Sequence, residues 1–196
     1  MRQTTISLNF AAVTLLIVLA IASRLIPHPA NFAPMMSIGI FGGAVFMQKK
    51  WAYIVPLAAI WISDLLMNNI IYAEYYDHFV WFYSGWYWQY AMYLIIPFLS
   101  VLLFKNNITF GKITGMSVAG AVLFFIVSNF GTWAGGMLYP MTFDGLVSCY
   151  IMALPYFKGS LMGNLFYSGV LFGLYYLIEQ RSPALSVASR FSKRWI

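Results

Sequence analysis

Six apolar stretches dominate the chain, and most of them are long enough to cross a bilayer as a helix. A spanning helix needs about 20 mainly apolar residues to cover about 30 Å. A further apolar stretch, residues 142–154, is too short to span, so we expect an interfacial or re-entrant helix that begins at Thr142 and ends before Pro155. The six predicted transmembrane helices cover about residues 7–25, 32–47, 51–72, 86–104, 113–130 and 160–178.

The shortage of charged residues excludes a water-soluble globule and a disordered chain. Only 8% of the 196 residues are charged and 62% are hydrophobic, whereas soluble domains carry about 25% charged residues. The alternating pattern of an outer-membrane barrel is absent. The sequence therefore predicts an all-α integral membrane protein with a single transmembrane domain over residues 1–196.

Lys and Arg residues are distributed very unevenly between the two sides of this predicted topology. Six crossings place both termini on one side, with nine basic residues there and two, Arg24 and Lys158, on the other. By the positive-inside rule, both termini are cytoplasmic, and the net charge of +6 reflects topology rather than nucleic-acid binding. The nine are Arg2, Lys49, Lys50, Lys105, Lys112, Arg181, Arg190, Lys193 and Arg194.

The first apolar stretch also resembles a cleavable signal peptide, because Arg2 precedes it and Ala20-Ile-Ala22 follows. We expect it to remain as the first transmembrane helix. The three predicted inner links are short, whereas the outer links 26–31, 73–85 and 131–159 are long. Long ordered links are usually functional, so we expect a working outer face, with 73–85 and 131–159 as lids.

Polar residues in the predicted helices lie almost entirely in their outer halves. Such residues are costly in a bilayer and tend to mark a site or pathway. Their one-sided distribution predicts a cavity that is open to the outside and sealed below, since a channel would need a polar lining along its full length. They are Arg24, Asp64, Asn68, Asn69, Asn129 and Asn164, with His28 and Asn31 in the first outer loop.

Asp64 has two possible roles. It can form an ion pair with Arg24 that fixes the third helix to the first, and it can also line the floor of the cavity. His28 lies in a proline-bounded loop that is suited to ligand contact, although a loop histidine can equally be satisfied locally.

Aromatic residues fill 12 of the 22 positions from 72 to 93. Part of this density is an interfacial belt, and the remainder suits a flat ligand. His78, next to Asp77, could bind a metal or a heterocycle or could simply be solvated. The twelve are Tyr72, Tyr75, Tyr76, Phe79, Trp81, Phe82, Tyr83, Trp86, Tyr87, Trp88, Tyr90 and Tyr93.

Small residues recur at four-residue spacing in the last two predicted helices, where they allow backbones to approach closely. We expect packing within the chain rather than a docking face for a partner. The pairs are Gly111 and Gly115, Gly159 and Gly163, and Gly169 and Gly173.

Enzyme signatures are missing from the sequence. There is no nucleophile-elbow motif, no phosphate loop and no His-Glu-x-x-His motif, and the chain has two histidines and one cysteine, Cys149. We therefore expect no catalytic activity, no resident metal and no cofactor. Any ATP-driven motor must be another protein.

Several local motifs resemble those of an uncharacterised bacterial family of transport proteins. That family is related to the substrate-binding subunits of energy-coupling factor (ECF) vitamin transporters and, within that group, to the small solitary cobalamin transporters. The motifs are Arg24-Leu-Ile-Pro-His-Pro-Ala-Asn-Phe-Ala-Pro34, Gly39-Ile-Phe-Gly-Gly43, Ser63-Asp-Leu65, Ser128-Asn-Phe-Gly131, Cys149-Tyr150 and Gly163-Asn-Leu-Phe-Tyr167.

This resemblance implies an ECF-subunit-like fold and uptake of a vitamin from the outer face of the bacterial inner membrane, with cobalamin or another corrinoid as the leading ligand. The cobalamin relatives ligate cobalt through a cysteine before the fourth helix; here His78 lies in about that region. The first predicted helix lacks the Ala-x-x-x-Ala pattern by which ECF subunits dock to their motor, so the protein either pairs with an ATP-driven module or works alone.

Three alternatives remain open: a smaller heterocyclic vitamin or precursor as substrate, a membrane enzyme acting on a lipid with Asp64 and His28 as an acid/base pair, and a structural partner of another complex. The full set of candidate substrate-binding residues is Arg24, His28, Asn31, Asp64, Asn68, His78, Tyr83, Trp86, Asn129, Trp133, Tyr139 and Asn164.

Overall fold

The computed structural model describes residues 2–46 and 48–181, with side chains from Phe10 onward. These residues form an all-helical fold without strands, as the sequence predicts. Residue 47, where the second predicted helix ends, lies outside the described residues, as do Arg190, Lys193 and Arg194. The helices are α1 (Arg2–Ala22), α2 (Met35–Val45), α3 (Trp51–Leu66), α4 (Trp86–Leu103), α5 (Phe110–Ala134) and α6 (Phe143–Arg181).

Four segments of the described chain are long and apolar enough to cross a membrane: Trp51–Ile71, Trp86–Leu103, Phe110–Ala134 and Phe143–Arg181. The first of these is α3 together with a π-helical turn, Met67–Ile71. The length and composition of these helices therefore indicate a multi-pass membrane protein.

The second predicted helix is much shorter than expected. α2 has 11 residues, which rise about 16 Å, roughly half the thickness of a bilayer core. It begins only after Pro34, because residues 26–34 form an irregular loop, and its backbone becomes extended at Phe46.

The predicted interfacial helix 142–154 is wrong as a separate element, because α6 runs through Pro155 without a break for 39 residues. Proline removes one helical hydrogen bond, but contacts with α5 hold the helix on both sides of it. The Tyr150 hydroxyl donates to the Ile126 carbonyl oxygen at 2.6 Å, and Phe125 packs against both Tyr150 and Phe157. The predicted lid 131–159 is consequently mostly helical, and residues 135–142 alone connect α5 to α6.

The short helix α2 forms the centre of the bundle. All of its residues are buried, and it contacts each of the other five helices. A Cβ atom on Gly43 would lie 2.6 Å from the Pro97 carbonyl oxygen of α4, and one on Gly42 would lie 2.9 Å from Pro56 of α3. The glycines of the Gly39–Gly43 motif therefore let α2 approach the two proline-containing helices.

The small residues of α5 and α6 divide into two groups. Gly159 and Gly163 pack against the backbone of residues 30–33, as expected for packing within the chain. By contrast, a Cβ atom on any of the other four would have no neighbour within 4 Å; these are Gly111, Gly115, Gly169 and Gly173.

Candidate functional site

One end of the bundle, which we call the long-loop end, carries the connections 26–34, 72–85 and 135–142. A cavity of about 490 Å³ opens there between the helices. Its lining mixes polar and apolar side chains and includes no Asp or Glu of the described residues. The residues that line it include Arg24, His28, Asn31, Met35, Met36, Met67, Tyr72, Gln89, Tyr93, Ala121, Phe124, Ser128, Thr132, Ser160 and Asn164.

Arg24 forms one wall of the cavity, immediately after α1. Its Nη1 donates to Asp64 Oδ1 and to the Ser63 hydroxyl, at 3.1 Å for the latter. The second carboxylate oxygen of Asp64 accepts a hydrogen bond of 2.9 Å from the Tyr90 hydroxyl. The predicted ion pair between Arg24 and Asp64 is thus present, and it connects α1, α3 and α4 behind the cavity wall.

Asn164 is a buried residue of the cavity lining and connects three helices. Its Oδ1 accepts from the Ser37 hydroxyl of α2 at 3.1 Å, and its Nδ2 donates to the Ser117 carbonyl oxygen of α5 at 3.1 Å. Ser117 also donates to the Ser168 hydroxyl at 2.8 Å. This buried polar network satisfies its members and fixes the floor of the cavity.

Gln89 and Tyr93 extend the polar wall along α4. They are four residues apart and therefore share a helix face. Gln89 Oε1 accepts a hydrogen bond of 2.5 Å from the Tyr83 hydroxyl, and burial raises the pKa of Tyr83, which keeps it a donor. Tyr93 is 4% exposed, and its hydroxyl has no hydrogen-bond partner among the described residues.

The loop that carries His28 and Asn31 is held rigidly against α6. Asn31 adopts a left-handed conformation with φ of 59°, which asparagine tolerates better than most residues. The Cβ that Gly159 lacks would lie 2.0 Å from the Ala30 carbonyl oxygen, so only glycine fits beneath this loop. His28 Nδ1 lies 2.9 Å from the Pro29 carbonyl oxygen, which leaves Nε2 free.

The aromatic segment from 72 to 93 packs mainly on itself rather than around the cavity. Trp86 packs against Phe82 and Tyr90, with ring centroids 4.4 and 5.3 Å apart. Of the twelve aromatic residues, Tyr72 and Tyr93 line the cavity. The density of rings therefore reflects a packed loop more than a surface for a large planar ligand.

Asn69 anchors this loop to the end of α3. Its side chain accepts from the Val80 amide at 2.7 Å and donates to the Val80 and Leu65 carbonyl oxygens at 2.9 Å. Val80 itself is buried. The Asn69 side chain therefore fixes the midpoint of the 72–85 loop to the end of α3.

The structure brings four of the predicted site residues to the cavity, and they are Arg24, His28, Asn31 and Asn164. Asp64 supports Arg24 from behind, and Tyr83 supports Gln89. Trp86 belongs to the aromatic cluster, and Tyr139 is half-buried in the α5–α6 connection.

The remaining predicted residues lie elsewhere. Asn68 and His78 line an open surface depression, where the His78 imidazole contacts Asp77 Oδ1 at 2.7 Å and lowers the pKa of that carboxyl. Asn129 Nδ2 donates to the Phe125 carbonyl oxygen, and Trp133 Nε1 donates to the Pro140 carbonyl oxygen. Asn129 also lines a small side chamber of about 90 Å³ between α5 and α6.

Sequence reasoning missed Gln89, Tyr93 and Tyr90. The i, i+4 spacing of Gln89 and Tyr93 was an available signal, because a polar amide one turn before a tyrosine marks a shared face. Within the described residues, no group of three or more His, Cys, Asp or Glu side chains could hold a metal ion. Cys149 is buried, with its Sγ 3.4 Å from the Asn129 carbonyl oxygen.

A family model matches residues 4–185, nearly the whole chain. The chain belongs to the DUF6580 family. This is a family of unknown function. No curated protein and no solved structure matches this DUF6580 protein significantly, so the arguments about its function rest on its own residues.

Proposed function

We propose that this DUF6580 protein takes up a small water-soluble metabolite of the vitamin class across the bacterial inner membrane and binds it in the cavity at the long-loop end. The observation that carries the proposal is a cavity of about 490 Å³ with polar walls, open at one end of an apolar helical bundle. Pockets of this size suit a small organic ligand.

A packed core below the cavity supports binding followed by a conformational change rather than flow through an open pore. Phe172 packs against Phe41 and Phe104, with ring centroids 5.3 and 5.9 Å apart, and all three are fully buried. Phe41 and Phe172 lie closer to the C-terminal ends of α2 and α6 than Ser37 and Asn164 do, and Phe104 directly follows α4. All three rings therefore lie away from the long-loop end. A channel would require polar groups there.

The charge distribution supports an outward-facing cavity. The opposite end carries Lys49, Lys50 and Lys105 in its connections and Lys112 in the first turn of α5, so the positive-inside rule favours a cytoplasmic location for that end. The proposed topology has six crossings with both termini inside, as in the ECF substrate-binding subunits that the sequence resembles. In this topology α2 crosses the membrane as a short central helix that is surrounded by the other five helices.

The size of the cavity favours a smaller heterocyclic vitamin or precursor over cobalamin. A corrin ring with its side chains and nucleotide loop is far larger than a drug-sized ligand, and cavities of 300–1,000 Å³ bury ligands of about drug size. His78, the candidate cobalt ligand, lies in a separate depression with its side chain 73% exposed.

The alternative of an enzyme with His28 and Asp64 as an acid/base pair receives no support from the geometry. That alternative requires a hydrogen bond between the two side chains. Both carboxylate oxygens of Asp64 are instead engaged by Arg24 and Tyr90.

A thermal-unfolding screen of the purified protein tests the proposal. The panel contains water-soluble vitamins and their precursors, with cobalamin included. We expect at least one small member to raise the unfolding temperature, and cobalamin to leave it unchanged.

Two matched variants on α5 make the screen specific for the cavity. Ser128→Phe adds a ring at a cavity-lining position, whereas Val122→Phe adds one on the exposed face of the same helix. Stabilisation should be lost in Ser128→Phe and kept in Val122→Phe. A panel without any stabilising member, or stabilisation that persists in Ser128→Phe, would contradict the proposal.

A further inference from the structure

Among the described residues, the lining of the cavity includes the cationic side chain of Arg24 and no Asp or Glu. Arg24 uses only Nη1 for its contacts with Asp64 and Ser63. Its Nε and Nη2 have no partner among the described residues, although about four-fifths of the side chain is buried. A guanidinium that is partly buried in this way retains donors for an acceptor from outside the chain.

Tyr93 adds a second unpaired donor to the same cavity. Its side chain is almost fully buried, and its hydroxyl has no hydrogen-bond partner among the described residues. Tyr93 lines the cavity, and its hydroxyl is accessible there, so it can donate to a bound solute. An occupant of the cavity would supply the missing acceptor.

The negative charge that balances Arg24 is turned away from the cavity. Asp64 is 4% exposed, and its two oxygens accept from Arg24 and Tyr90. The ion pair therefore orients the guanidinium and offers the cavity no acceptor of its own. Gln89 reinforces this pattern, because its carbonyl oxygen accepts from Tyr83 and its Nε2 has no partner in the part of the chain that the structure describes.

We infer that the solute bound in this cavity is a small organic anion whose carboxylate, or an equivalent acid group, binds to Arg24 and Tyr93. The inference rests on the proposed uptake function and specifies its substrate class. Charge-assisted hydrogen bonds from Arg are roughly twice as strong as neutral ones. A cationic solute would meet the guanidinium of Arg24 before its counter-charge, because Asp64 lies behind Arg24 and is not part of the cavity lining, so the site discriminates by charge.

Charged thiol reagents test the inference without knowledge of the natural solute. Ser128→Cys places a thiol in the cavity and Met137→Cys places one on the exposed α5–α6 connection, each in a Cys149→Ser background. The probes are an anionic sulfonatoethyl and a cationic trimethylammonioethyl methanethiosulfonate. The measured quantity is the ratio of anionic to cationic reaction rates at Ser128→Cys, divided by the same ratio at Met137→Cys.

We expect this normalised ratio to favour the anionic reagent about threefold, because the guanidinium end of the ion pair faces the cavity and Asp64 lies behind it. The double change Arg24→Gln with Asp64→Asn, which removes both charges together, should bring the ratio close to one, whereas Arg24→Lys should preserve the preference. A ratio near one in the parent, a preference for the cationic reagent, or a preference that survives the double change would overturn the inference.

The failure of the proposed function has a different signature. If Ser128→Cys reacts with neither reagent while Met137→Cys reacts with both, no aqueous cavity opens at this end. That result would contradict the uptake proposal itself and, with it, the inferred preference for an anion.

Discussion

Arg24 and Asp64 form an ion pair in which the carboxylate is fully engaged and the guanidinium is not. Asp64 accepts from Arg24 and Tyr90, while two nitrogens of Arg24 at the cavity wall have no partner within residues 2–46 and 48–181. The pair therefore has two roles. It connects α1, α3 and α4, and it presents a fixed positive group to the cavity.

Removal of one partner should be costlier than neutralisation of both. Asp64→Ala leaves a largely buried guanidinium without its counter-charge, for which we expect a loss of about 3 kcal/mol of unfolding free energy. The double change Arg24→Gln with Asp64→Asn leaves no charge buried without a partner, and should cost about 1 kcal/mol. Denaturant unfolding in detergent, followed by circular dichroism, measures both.

Measurements of ligand affinity distinguish the structural role of the Arg24–Asp64 pair from its role in binding. Asp64→Ala should lower ligand affinity more than it lowers expression, since it releases Arg24 from its position. If affinity is unchanged in the protein that accumulates, Asp64 has only a structural role.

Gly43 should not tolerate a methyl group. In Gly43→Ala the new Cβ would lie 2.6 Å from the Pro97 carbonyl oxygen and 2.7 Å from Ser100 Cβ, and overpacking of this kind costs about 1–3 kcal/mol. Gly169→Ala is the matched control, because its Cβ would have no neighbour within 4 Å. Comparable unfolding temperatures for the two variants would contradict the central position of α2.

Gly159→Ala should impair binding more than folding. The added Cβ would displace the Ala30 carbonyl oxygen, 2.0 Å away, and with it the loop that carries His28 and Asn31. Gly173→Ala on the same helix has open space and should bind as the parent does. The comparison uses a ligand found in the vitamin screen. Equal affinities in both variants would show that the loop with His28 and Asn31 does not contribute to the binding site.

The proposed orientation is open to direct labelling. In a Cys149→Ser background, His78→Cys should react with a membrane-impermeant maleimide in intact cells, because His78 is exposed at the long-loop end. Lys105→Cys at the opposite end should react only after the cells are permeabilised. The reverse pattern would place the cavity opening in the cytoplasm.

Apolar periodicity and length predicted most of the fold, because spanning helices follow directly from hydrophobicity. The error at Pro155 arose because a proline is a strong local stop signal, whereas the contacts of Tyr150 and Phe157 with α5 are long-range. The short length of α2 was not predicted, because an apolar stretch does not show that the helix begins only after Pro34.

The candidate site was predictable only where polarity was conspicuous. Arg24, His28, Asn31 and Asn164 stood out as polar residues near helix ends, and all four line the cavity. Tyr93 did not stand out, because it is one ring in a dense aromatic segment and its unpaired hydroxyl is visible only in three dimensions.

The measurement that tests the central claim most directly is identification of the small molecule that the protein carries. The parent, Ser128→Phe and Val122→Phe are purified in parallel from cells, denatured, and their released small molecules compared by mass spectrometry. We predict one small organic anion enriched with the parent and Val122→Phe but not with Ser128→Phe. Identical profiles from all three proteins would contradict a solute-binding cavity at the long-loop end.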